Sequence, residues 1–141
     1  MDIEKHIKDK SSLYFGSSGP SPEIITSTIV AGALILGATE TLIKRDENWF
    51  YIFADRDWLY KGKFPEENEG TIWERPWPFP EAGQNTPRFE IMACVFSSTT
   101  YTVSHESFEA VKGNVSEEQM KKANELLGNW ERLIAFEYNN G

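Results

Sequence analysis

The sequence predicts an α+β fold: a single domain in which an antiparallel sheet of about four to five strands packs with N- and C-terminal helices. Three observations predict it. Two apolar, β-prone stretches flank the polar link Asp46-Glu47-Asn48, as in a hairpin. A second block rich in Thr, Val and aromatics spans residues 89–104. Helix-start signals stand near both ends of the chain, at Ser21 and Ser116. With 141 residues, 40% hydrophobic content and neither linker nor repeat, the chain reads as one domain over 1–141 with one core.

In chain order, residues 2–9 suit a short helix with Ile3 and Ile7 on one face, and Leu13–Phe15 a short strand. Ser21-Pro22-Glu23 opens a helix: Ser as N-cap, Pro at the first helical position, Glu in the first turn. β-branched residues and Gly32 argue for ending it near Gly32, with strand by about Leu34. Ala38–Arg45 and Trp49–Ala54 form the hairpin. Both faces of Trp49–Ala54 are apolar, which places it centrally or covers it on both sides. Phe89–Ser97 and Thr99–Ser104 read as further strands, and Ser107–Val111 as a short helix or turn ending at Gly113. Ser116 with Gln119 makes a capping box for the last helix, on which Met120, Ala123, Leu127, Trp130 and Ile134 fall into one stripe.

A formal charge of −8 excludes the usual nucleic-acid binder, because a phosphate backbone is met by Lys and Arg, here 14 against 22 acids. A basic protein is the more natural partner, attracted at long range, and the alternative is that the acidity only keeps the domain soluble. The single Cys94 excludes an intrachain disulfide, and its place in the apolar run FEIMACVF predicts a buried, unreactive thiol in a reducing compartment. MDIEKHIKDK lacks an apolar signal core. The most apolar run, Ile29–Ala38, is too short for the ~20 residues of a membrane span. The expectation is a soluble, cytoplasmic chain without membrane contact.

The most unusual stretch is Phe64–Glu81, FPEENEGTIWERPWPFPE. It holds four aromatics, four of the seven prolines, and five glutamates against Arg75 alone, a net charge of −4. Proline removes backbone donors, so this is a stiff surface excursion that should bring some of Trp73, Trp77 and Phe79 to solvent. Two readings remain open: aromatic anchors within an acidic docking surface, or a proline-aromatic lid over the sheet. Trp58, at a strand end, either roofs the core or lines a groove.

No catalytic signature emerges. His6 and His105 stand far apart, with no zinc spacing. Asp55 and Asp57, with Glu47 or Glu90, suit a hard cation in residue type, yet Asp55-Arg56-Asp57 reads more simply as a solvated strand end with Asp57 capping a short helix. Cys94 with His105 matches no known nucleophile spacing, and SSGPS lacks the Lys-Ser/Thr of a phosphate loop. Neither catalytic residue, metal nor cofactor is assigned.

In the motifs NWFYIFADRDWLY (48–60) and PRFEIMACVF (87–96), the chain resembles bacterial immunity proteins of contact-dependent and other polymorphic toxin systems. That resemblance implies stoichiometric, non-catalytic binding of a cognate toxin domain, often a basic nuclease, at its active site or an exosite. The expected partner-binding residues are Glu66, Glu67, Glu69 and Glu74 as an acidic rim and Trp73 and Trp77 as anchors, with Asp55, Asp57 and Trp58 adjacent. The alternative is a small-ligand-binding or enzymatic α+β domain, with a pocket between sheet and helices using Trp58, Asp57 and His105.

Overall fold

The computed structural model describes residues 3–59, 72–74, 77–84 and 86–139. The aromatic strand expected from the sequence, Trp49–Ala54, is an interior strand of the sheet. Strands β1 (Thr41–Asp46), β2 (Trp49–Ala54), β3 (Thr99–Ser104), β4 (Phe108–Lys112) and β5 (Arg132–Glu137) form one antiparallel sheet in the order β1-β2-β5-β3-β4. Glu47 takes a left-handed φ of 56° at the hairpin turn, which sets the pairs Asp46↔Trp49 and Thr41↔Ala54. The described helices are α1 (Ile3–Asp9), α2 (Ser11–Phe15), α3 (Pro22–Ile35), α4 (Glu90–Val95) and α5 (Glu117–Leu127). The α+β class, the single antiparallel sheet and the helices from both chain regions are as expected.

Because β2 is apolar on both faces, it needs cover on both. Phe50, Ile52 and Ala54, with Ile134 and Phe136 of β5, pack against α1, α3 and α4. Tyr51, Phe53, Tyr101, Val103, Leu133 and Ala135 face the other way, under Ala123 and Leu127 of α5. The result is three layers, helices, sheet and helix.

Both helix starts form as expected. Ser21 Oγ accepts from the Ile24 amide at 3.0 Å, and Ser116 with Gln119 forms the reciprocal capping box. Other expectations are corrected. Residues 13–15 lie in α2 rather than a strand. Helix α3 continues through Gly32 to Ile35, because Gly32 is a packing notch: a Cβ there would stand 3.0 Å from Phe79 Cε2. Phe108–Val111 belongs to strand β4, which ends at Lys112 just before Gly113 with its φ of 76°. Phe89–Ser97 is mostly helix α4. A run with no polar alternation suits a buried helix as well as a buried strand. Its terminal carbonyls are met from the sheet: Thr100 Oγ1 donates to Ala93 O at 3.0 Å, and Lys112 Nζ to Cys94 O at 3.0 Å. The final helix stops at Leu127, where Gly128 turns left-handed (φ 52°). Ile134 then belongs to β5 rather than to the helical stripe.

Candidate functional site

The aromatic-acidic excursion lies only partly within the described residues. Glu66, Glu67 and Glu69 fall outside them. Glu74 is exposed as expected. The expected exposure of the aromatics is corrected: Trp73 is 8%, Trp77 1% and Phe79 5% exposed, and Trp58 is fully buried. Their large apolar faces join the core beneath α3 and α4 instead of meeting solvent. Proline leaves few backbone donors to hold such a segment. The Phe79 amide donates to Thr86 O at 2.7 Å and the Arg88 amide to Trp77 O at 2.6 Å, and these two bonds pair Pro78 with Pro87. The described part is a lid with its aromatics turned inward.

A buried polar cluster fastens that lid at its base. Arg88 and Glu90, each 2% exposed, form a two-pronged ion pair, Nε to Oε1 at 3.0 Å and Nη2 to Oε2 at 3.1 Å. Trp58 donates its indole N–H to Glu90 Oε2 at 3.0 Å, and Arg88 Nη2 donates to Leu59 O at 2.7 Å. The guanidinium also lies 5.2 Å from the Phe79 ring centroid. Leu59, before the excursion, and Arg88, after it, are thus tied together. Glu90 is occupied here and is no partner for a cation beside Asp55.

Asp55 and Asp57 stand where the antiparallel register gathers one end of four strands: Thr41↔Ala54, Ala54↔Arg132 and Ser104↔Arg132. Asp55 accepts from the Thr39 amide at 2.9 Å, the Glu40 amide at 3.1 Å and the Thr39 hydroxyl. These bonds, the Thr39 hydroxyl foremost, hold its carboxyl down at about 2. Asp57 caps no helix. It takes both prongs of the buried Arg132, Nε to Oδ1 and Nη2 to Oδ2 at 2.9 Å each, while its own side chain stays 45% exposed. Thr102 Oγ1 steadies the same guanidinium at 3.2 Å. Around these two fixed carboxylates stand the exposed Glu40, Glu106 and Glu131, with Arg56 and His105 also exposed. The sequence put Asp55 and Asp57 on one strand face; it could not show that Glu40, Glu106 and Glu131 join them.

Trp58, Asp57 and His105, the expected pocket set, do not act together. Trp58 is committed to Glu90 and Asp57 to Arg132, while His105 is exposed in the β3–β4 turn. Among the described residues no group of three or more His, Cys, Asp or Glu converges as metal ligands. Cys94 is partly buried on α4, where burial pushes its thiol up. An apolar groove of about 210 Å³ runs between α3 and the lid, walled by Ile29, Gly32, Ile35, Phe79 and Phe89, and Glu90 also borders it. Among the described residues no helix is long and apolar enough to cross a membrane. No known protein family, curated protein or solved structure matches the chain.

Proposed function

We propose that the chain is an immunity-type binding protein that neutralises a cognate, basic toxin domain by stoichiometric tight binding in the cytoplasm. The observation that carries this reading is the acidic end of the sheet. Five carboxylates gather there, and two of them, Asp55 and Asp57, are held in place before any partner arrives. Fixed charge loses little entropy on association, and an acidic face steers a basic partner to the encounter. Neutralisation by this route requires occlusion of the toxin and no chemistry on the chain itself. The small-ligand alternative would use the groove of about 210 Å³ beside the lid, smaller than the about 300–1,000 Å³ usual for metabolite pockets.

The test is a search beside the gene for an encoded toxin domain and co-expression with it, followed by titration of the purified pair. The reading expects restored growth, a one-to-one complex, and association slowed by Glu40→Lys, Glu106→Lys and Glu131→Lys together, most of all at low salt. Growth arrest that persists despite folded, abundant protein would end the immunity reading. A complex whose association ignores the reversals would move the interface off the acidic end.

A further inference from the structure

The opposite end of the sheet, on the face that carries α5, holds an unfilled aromatic recess. Cross-strand pairing lays Asp46, Trp49, Glu137 and Thr99 in one row, and Lys44, Tyr51, Ala135 and Tyr101 in the next. Ala135 is the small residue between two tyrosines. Trp49 leans across it, its ring 6.2 Å from Tyr51 at 19° and 5.8 Å from Tyr101 at 47°. Helix α5 and the residues after it close the far end, where Trp130 meets Phe53 at 5.9 Å. Near Trp49 the helix offers only Gln119 and Lys122, which leaves a pocket of about 90 Å³.

We propose that this pocket receives a guanidinium group, the tip of an arginine on a basic protein partner. Its size decides the class of guest. Pockets for metabolites run to about 300–1,000 Å³, so this one admits a single functional group anchored from outside. Its walls decide the charge. Flat faces of Trp49, Tyr51 and Tyr101 favour a planar cation, and Asp46 at the mouth offers a carboxylate to its N–H fork. The field has the matching sign: the Tyr51 hydroxyl is pushed up by burial and then by the carboxylates of Asp46 and Glu137. Two cations stand close. Lys44 lies over Phe53, 5.6 Å from its ring centroid, on the side away from Trp49, and Lys122 is exposed on a long stem that keeps its ammonium in water.

The assignment rests on the reading of a basic partner, but its test does not need the toxin. Ethylguanidinium is titrated at constant ionic strength and followed by amide and indole NMR shifts, with propylammonium as the non-planar control. Saturable shifts at the Trp49 indole and the Ala135 amide are expected, with a dissociation constant on the order of 10 mM. Asp46→Asn, at an exposed position, should weaken binding about fivefold, and Lys122→Gln should strengthen it. Shifts that never saturate, an equal response to propylammonium, or indifference to Asp46→Asn would each overturn the proposal. Failure here with toxin still neutralised would remove the pocket alone. Ethylguanidinium binding without neutralisation would keep the pocket and remove the immunity reading.

Discussion

Glu90 is the residue whose loss should expose how the lid is held. Its carboxylate accepts from Arg88 Nε, Arg88 Nη2 and Trp58 Nε1, and all three side chains are 2% exposed or less. Glu90→Met takes the counter-charge from a buried guanidinium and an acceptor from a buried indole. Removing one member of such a pair costs about 3–5 kcal/mol. That is a fifth or more of the about 5–15 kcal/mol that holds a typical domain, and at roughly 3 °C per kcal/mol the midpoint should fall by about 9–15 °C. Replacing both charges, Arg88→Met with Glu90→Met, should restore stability to within about 2 kcal/mol of the starting protein, because neither charge then remains buried. The assay is urea unfolding of the four proteins of the cycle, followed by tryptophan fluorescence and far-UV circular dichroism. A coupling energy above about 2 kcal/mol is expected from direct contact. Two single variants that each cost under about 1 kcal/mol and simply add would refute the clamp.

Three further outcomes follow from the same geometry. Asp55 is held at about 2 against an unfolded value near 4, so its contribution is complete above about pH 4 and is lost as pH falls through about 2; Asp55→Asn should flatten stability across that window in acid titration by calorimetry. Trp77→Ala should lower stability by about 3–5 kcal/mol in denaturant melts, as for a buried core aromatic; a variant that stays fully stable but loses partner binding would restore the anchor role. Gly32→Ala should destabilise by about 1–3 kcal/mol despite alanine's helix propensity, because the new Cβ meets Phe79 Cε2 at 3.0 Å and that ring is confined by Arg88 and its own backbone bonds; a gain in melting temperature would show that Phe79 yields.

What the sequence made legible is what depends on neighbours in the chain. The caps at Ser21 and Ser116 and the alternation of Trp49–Ala54 are local signals, and each appears in the structure. The misreadings arise where a partner distant in sequence decides. Gly32 looks like a helix stop until Phe79 is seen against it. The run 89–97 lacks a period, and only its carbonyl partners Thr100 and Lys112 mark where the helix ends. Ile134 continues a helical spacing by coincidence, while Gly128 carries the actual break and β5 fills the gap between β2 and β3. The inward turn of Trp73 and Trp77 matches the lid reading that the sequence left open but could not choose, since proline and glutamate describe the outside of the excursion and say nothing of what lies beneath it.

Among the described residues two arginines are buried, Arg88 and Arg132, 2% and 3% exposed, so neither positive charge faces solvent. Because Glu90 is buried with Arg88, only the burial of Arg132 leaves the surface more acidic. The two are not equivalent. Arg88 spends its charge on Glu90, also buried, and so acts on the fold alone. Arg132 spends its charge on Asp57, which is 45% exposed, and so aims a surface carboxylate from within. The proposed interface and the core are therefore joined at one residue. Arg132→Met should release Asp57 from its fixed orientation and weaken partner binding beyond what the loss of stability explains. Arg88→Met with Glu90→Met should leave partner binding unchanged. Measuring both against the toxin separates a carboxylate held for a partner from one held for the fold. Equal losses in the two variants would mean that the acidic end is only a solvated edge of the sheet.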